Sequence, residues 1–202
     1  MKKSVIFLGV FFVLLVVGFM VLIVPKMAPA KQLPVLGNPG HLTGAFSFTN
    51  QEGKTITEQT VAGKVRVVEY FFTTCKGICP KMNANMRFVY DAYAKDPKVV
   101  ILSHTVDPET DSVPVLAAYA EKFGADASHW MFLTGSKKEL YAVAREQYLL
   151  SADDAPAKDT AGDFIHTQYF ALVDKDNRIR GFYDGTNKGE VGQMISDIKS
   201  LE

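Results

Sequence analysis

Residues 4–24 form one uncharged apolar run, from Ser4-Val5-Ile6 to Leu22-Ile23-Val24, interrupted only by Ser4 and two glycines and preceded by Lys2 and Lys3. Roughly 20 such residues cross a bilayer as a helix. The run is longer than the ~7–15 apolar residues of a signal-peptide core, so residues 1–25 predict an uncleaved transmembrane anchor. Ala28-Pro29-Ala30 has the small-x-small form of a cleavage site and keeps a signal sequence as the alternative. Lys2 and Lys3 put the short N-terminus in the cytoplasm and the bulk of the chain across the membrane, in the periplasm if the cell is Gram-negative. Residues 26–41 are rich in proline and glycine, lack apolar periodicity and read as a tether. Residues 42–202 suit one domain with a single core.

Within that domain the pattern alternates between periods of two and of about 3.6. Residues 46–49 and 54–57 flank the turn residues Asn50-Gln51-Glu52-Gly53 and predict a short hairpin. Residues 65–72 are nearly all β-branched or aromatic, as in a central strand buried on both faces. A helix is expected over 80–94, with Met82, Met86, Val89 and Tyr93 on one stripe. A second buried strand follows over 99–105, then a helix over 113–123 ending at Gly124, a brief strand over 131–133 and a helix over 137–147. Residues 151–163, rich in Ala, Asp and Pro, read as a long exposed loop. Strands over 169–173 and 179–183 form a last hairpin across Asp174-Lys175-Asp176-Asn177 before a closing helix over 189–201. Alternating β and α elements with an antiparallel terminal hairpin predict an α/β, thioredoxin-like sandwich: a central β-sheet flanked by helices, preceded by the N-terminal transmembrane helix.

Charge narrows the function. The chain carries 22 Lys and Arg against 22 Asp and Glu. Setting Lys2 and Lys3 aside with the apolar run leaves a slight acidic excess, so there is no basic footprint for nucleic acid.

Chemistry concentrates at the two cysteines, Cys75 and Cys79, in Thr73-Thr74-Cys75-Lys76-Gly77-Ile78-Cys79-Pro80, directly after the predicted central strand. A strand, a loop and a helix begun by proline bring both sulfurs to a helix N-terminus, where free N–H groups and the macrodipole favour thiolate. Such a pair is a redox couple or a soft-metal clamp. Three intervening residues make the motif wider than C-x-x-C, yet leave the sulfurs able to face one another. Two thiolates select copper(I), and one added imidazole makes a site that also holds copper(II).

Four histidines are available. His41 in the tether, His129 beside Trp130 and, as the favoured reading, His104 are ordinary surface or hydrogen-bonded histidines, although His104 lies near a strand end from which it could approach the cysteine loop. His166 stands just before the strand over 169–173, where thioredoxin-like folds bring a loop to the active-site helix; no proline occupies that loop, which weakens a peptide-docking oxidoreductase reading. Met82 and Met86, one helical turn apart, read as core fillers rather than a thioether surface. Asp107 and Asp111 are either a carboxylate pair or an Asp-Pro turn and a helix cap.

Over residues 42–202 these motifs resemble the Sco (SenC) family of copper proteins that assist assembly of the copper-A centre of cytochrome c oxidase. The resemblance is carried by the cysteine segment Thr73 to Pro80, by Thr105-Val106-Asp107-Pro108-Glu109-Thr110-Asp111, by Leu133-Thr134-Gly135 and by His166-Thr167. It implies that Cys75, Cys79 and His166 are the copper ligands, and that the partner is the copper-A-bearing subunit of a membrane oxidase. Ile165 stands directly before His166 where many members have aspartate, and Lys76 follows Cys75 where relatives often have proline. Two functions follow from this resemblance and from the residues. One is a membrane-anchored copper chaperone, not an enzyme; the other is a thiol–disulfide oxidoreductase, with Cys75 and Cys79 as its redox pair, that keeps the acceptor's cysteines reduced. A peroxiredoxin is weaker, because its proline and threonine do not precede Cys75.

Overall fold

The computed structural model describes residues 2–22, 32–150 and 167–202. It divides into two units, Met1–Gln32 and Leu33–Glu202. The first contains α1, Lys2–Leu22, a helix of 21 residues whose large apolar side chains from Ile6 to Leu22 are exposed. Among the described residues no helix is long and apolar enough to cross a membrane. The Ala28-Pro29-Ala30 segment and the exposed loop expected over 151–163 lie outside the described residues.

The second unit is an α/β sandwich with helices on a central sheet, as the alternating pattern predicts. Seven strands are ordered β2-β1-β5-β4-β3-β6-β7: β1 Ser47–Asn50, β2 Thr55–Thr57, β3 Val65–Phe71, β4 Val99–Thr105, β5 Trp130–Thr134, β6 Tyr169–Val173 and β7 Ile179–Asp184. The central pairs β3–β4 and β4–β5 are parallel, and the flanking pairs are antiparallel. All seven residues of β3 and of β4 are buried, as expected of strands covered on both faces.

Strand alternation divides the interior into two cores. Val65, Val67 and Phe71 of β3, with Val99 and Ile101 of β4, face α2 (Cys79–Tyr93), α3 (Val113–Lys122) and α5 (Lys188–Lys199). Val68 and Tyr70, with Val100 and Leu102, face the opposite core, which contains Leu140, Tyr141 and Tyr148. Met82 and Met86 are fully buried in the first core, which settles them as packing residues. Gly124 closes α3 in the left-handed region, φ +56°, with the Ala125 N–H returned to the Ala120 carbonyl.

Two elements differ from the sequence reading. The helix expected over 137–147 is α-helical only as α4, Lys137–Ala142, and widens into a π-turn over Val143–Gln147. The added residue turns Tyr148 fully into the second core, which helical periodicity does not encode. The described part of the segment read as tether, Leu33 to His41, is bonded to the sheet edge together with the following Thr43. Leu36 N–H donates to the Ile179 carbonyl at 2.9 Å, Thr43 N–H to Asn177 at 2.9 Å, and Arg180 Nε to the Pro34 carbonyl at 2.8 Å.

Candidate metal and thiol site

β3 ends at Phe71, and α2 begins at Cys79 with Pro80 in its first turn. Pro80 fits there because a first-turn N–H has no carbonyl to meet, and its fixed φ is helical already. Ile78 occupies the N-cap position and supplies no side-chain acceptor, so the first N–H groups of the helix are free for another partner. The Cys75 sulfur takes that role. Burial pushes its thiol pKa up, but the hydrogen bond with Cys79 and the N–H groups of Cys79, Gly77 and Ile78 outweigh burial and lower it. Cys79 responds the other way: burial, and then the hydrogen bond and negative charge of Cys75, push its thiol up to about 12. Cys75 is half-exposed, whereas Cys79 is 4% exposed. The pair therefore holds one accessible sulfur poised as thiolate and one buried sulfur poised as thiol.

Two buried polar networks support this geometry. Asp111 is fully buried and accepts from the Thr73 N–H at 3.2 Å, from the Thr73 hydroxyl and from the Thr105 hydroxyl at 2.5 Å. Asn83 donates to the Cys79 carbonyl at 3.1 Å and to the Tyr119 hydroxyl at 3.3 Å, tying the first turn of α2 to α3. Neither of the two roles the sequence offered Asp111 matches this, because Ser112 is the N-cap of α3 and the Asp111 carboxylate is fully engaged by hydroxyls and an amide. Asp107 shapes the turn, its carbonyl accepting from the N–H groups of Thr110 and Asp111.

Glu69 was not singled out by sequence reasoning. It alternates with Val67 and Phe71 toward the core that contains Cys79, is fully buried, and accepts from Ser103 at 2.5 Å, which in turn accepts from Trp130 Nε1 at 2.8 Å. Its second oxygen has no hydrogen-bond partner among the described residues. Burial raises its carboxyl to about 7, and its charge is one of the influences on Cys79. The available signal was a single acid inside an otherwise buried strand, six positions before Cys75.

The histidines separate. His104 is corrected: Leu102 and His104 share a face of β4, so its ring enters the second core, on the other side of the sheet from the cysteines. There it stacks on Tyr70 at 5.0 Å and meets Phe48 edge-on at 5.4 Å. Burial lowers its pKa to about 3, the Leu102 and Glu69 carbonyls opposing. His41 Nε2 bonds the Gln147 carbonyl at 2.8 Å and His129 Nδ1 the Ser128 hydroxyl at 2.7 Å, as ordinary histidines do. His166 lies outside the described residues. The neighbouring β6 pairs antiparallel with β3 in the register Val68↔Ala171, so its first residue, Tyr169, stands at the end of β3 from which the cysteine loop departs.

The chemical test of a metal is the donor set. Cys75 and Cys79 supply two soft sulfurs at one helix start, which suits a soft cation such as copper(I). Among the described residues there is no group of three or more His, Cys, Asp and Glu able to hold a metal ion.

A parallel-centred sheet with a dithiol at the N-terminus of the helix after its central strand defines a thioredoxin-like thiol or soft-metal protein. The SCO1/SenC family model matches residues 36–201, and the chain belongs to that family. It is 33% identical to the SCO1 protein homolog of Bacillus subtilis (strain 168) over 159 residues, covering 77% of this chain and 80% of the relative. It superposes on BsSco, a member of the Sco family of cytochrome c oxidase assembly proteins in which a disulfide switch was identified. The TM-score is 0.69, with 30% identity, 85% of this chain and 98% of that one. Bradyrhizobium japonicum ScoI with copper bound matches with a TM-score of 0.63 and 28% identity, over 80% of this chain and 99% of that one. The chain spans about half the length of the mitochondrial SCO1 homologs of human and mouse that it matches.

Proposed function

We propose that this chain is a membrane-anchored copper chaperone that serves assembly of the copper-A centre of cytochrome c oxidase. Copper is its cargo, held by Cys75 and Cys79 with His166 as third ligand. The observation that carries the reading is the hydrogen-bonded Cys75–Cys79 pair at the start of α2, on the fold of relatives that bind copper. Both thiols lose their protons when a soft cation binds, and the helix N–H groups around Cys75 already favour that state there. An imidazole at His166 would extend the site from copper(I) to copper(II). Membrane attachment is supported by the uncharged apolar run of residues 4–24 behind Lys2 and Lys3, whose large apolar side chains from Ile6 to Leu22 are exposed. The acceptor is the copper-A-bearing subunit of a membrane oxidase on the extracytoplasmic side.

Reconstitution with copper(I) and with copper(II) tests the ligand set. Wild type should hold one copper per chain, and His166→Ala should lose copper(II) far more than copper(I). Equal retention of both ions by the variant removes His166 from the site.

The alternative, a thiol–disulfide oxidoreductase, is favoured by one observation: one sulfur is exposed with its pKa lowered and the other is buried with its pKa raised, the asymmetry of an attacking and a resolving thiol. The two readings part at His166→Ala in cells at limiting copper. Chaperone function predicts a defect in oxidase activity that added copper relieves. Reductase function predicts near-normal activity for His166→Ala but failure of both Cys75→Ser and Cys79→Ser, relieved better by a small thiol than by copper.

A further inference from the structure

We propose that Asp111 is a positioning residue for the thiol pair: through Thr73 it fixes the Cys75 end of the cysteine loop at the distance from Cys79 that both copper capture and disulfide closure require. The copper half of this rests on the function proposed above, whereas the disulfide half does not.

The two ends of the loop are held by different means. Cys79 is part of α2, buried, with its carbonyl bonded to Asn83, so the helix fixes it. Cys75 has a weaker backbone tie, its N–H reaching the Phe72 carbonyl at 3.3 Å. Its sulfur meets Cys79 and the N–H groups at the start of α2, and its backbone is set two residues earlier, where both the amide and the hydroxyl of Thr73 are donated to Asp111. Asp111 is fully buried, and Thr105, which shares it, is the last residue of β4 and also fully buried. The Thr105 hydroxyl also accepts from the Asp107 N–H at 2.9 Å, and the Asp111 N–H donates to the Asp107 carbonyl at 2.8 Å, so the turn before α3 braces the carboxylate from behind. A buried carboxyl satisfied by neutral donors, one pair of them on the cysteine loop, joins the loop to two rigid elements at one point.

Such bracing matters because a loose ligand must be ordered when its ion binds, and a pre-placed one need not be. The same holds for S–S bond formation, which succeeds only within a narrow range of Cα and Cβ separations. Freeing Thr73 lets Cys75 drift from Cys79 and lowers the effective concentration of one sulfur at the other.

The experiment uses the purified full chain in detergent, as wild type, Asp111→Asn, Thr73→Val and Thr73→Ser. Two properties are read: the Cys75–Cys79 dithiol–disulfide equilibrium against glutathione without metal, and copper(II) affinity with the thiolate-to-copper charge-transfer band. Asp111→Asn and Thr73→Val should each make the disulfide about tenfold less stable, about 30 mV more oxidising. Both should also weaken copper(II) binding about tenfold and broaden the band, while Thr73→Ser, which keeps the hydroxyl, restores wild-type values. A wild-type glutathione equilibrium in a folded Asp111→Asn or Thr73→Val variant overturns the proposal and leaves Asp111 as scaffold only. If Asp111→Asn does not fold, Thr73→Val, which removes only the loop side of the contact, decides alone. If wild type takes up no copper while the glutathione shifts appear, the copper reading falls and the positioning role stands.

Discussion

His104 should make this protein sensitive to acid in a way that a second buried group conceals. Its ring is enclosed by Tyr70, Phe48, Phe46 and Tyr148, with both nitrogens buried. Burial takes the imidazole from its ordinary 6.5 to about 3. Between those values the unfolded chain binds a proton that the folded protein refuses, so stability is present above pH 6.5 and falls as the pH drops toward 3. At ~1.36 kcal/mol per pH unit the whole loss is about 5 kcal/mol, comparable to a small domain's entire stability. Glu69 works in the opposite sense. Its carboxyl is raised from 4.5 to about 7, so the folded state holds a proton that the unfolded state has released. That contribution is full below pH 4.5 and is lost as the pH rises through 7, about 3 kcal/mol in all. Between pH 4.5 and 6.5 the two slopes oppose each other and the wild type should be nearly flat. His104→Phe, which suits the aromatic cage and removes the titrating ring, should leave the Glu69 slope exposed: stability falling by about 1.4 kcal/mol per unit of rising pH. Glu69→Gln should show the mirror image, rising with pH. Urea unfolding of the reduced, copper-free chain at half-unit pH steps, followed by circular dichroism, measures all three. A His104→Phe profile as flat as the wild type between pH 4.5 and 6.5 would refute the account.

Three further outcomes are expected. Iodoacetamide at neutral pH should alkylate Cys75 well before Cys79, since one thiol is half-exposed with its pKa lowered and the other buried with its pKa raised; peptide mapping after partial reaction reads the order, and equal rates would contradict it. Asn83→Ala should cost about 1–3 kcal/mol in chemical denaturation, because it leaves the buried Tyr119 hydroxyl without its donor and removes the extra side-chain bond to the Cys79 carbonyl, which keeps its place in the helix ladder. Gly185→Ala should destabilise by about 1–3 kcal/mol, since a Cβ there would sit 2.5 Å from the Phe170 ring; a melting temperature equal to wild type would show that the ring gives way freely.

Local pattern determined a large part of this protein. Runs of β-branched residues over 65–72 and 99–105 announced the central parallel strands because a strand buried on both faces has no polar face to display. Pro80 and Gly124 marked a helix start and a helix end, because one has no N–H to satisfy and the other tolerates positive φ. The chemistry of the Cys75–Cys79 segment was legible for the same local reason: four positions of separation at a strand–helix junction place both sulfurs near the helix N-terminus whatever the rest of the chain does.

What only the tertiary structure decided depends on which side of the sheet a residue faces and on what meets it from distant segments. His104 and Glu69 both lie in strands that read as mostly apolar and buried on both faces. The pleat sends one to the far core and the other toward Cys79, and that assignment requires the helices that cover each face. Asp111 carried two local readings, cap or carboxylate pair, and took neither, because its partners Thr73 and Thr105 come from other elements. The π-turn that buries Tyr148, and the bonds that bind Leu33 to Thr43 onto the sheet edge, are likewise set by contacts more than a hundred residues apart. Sequence periodicity averages over neighbours within a few positions; such contacts lie outside that window, so the fold alone fixes them.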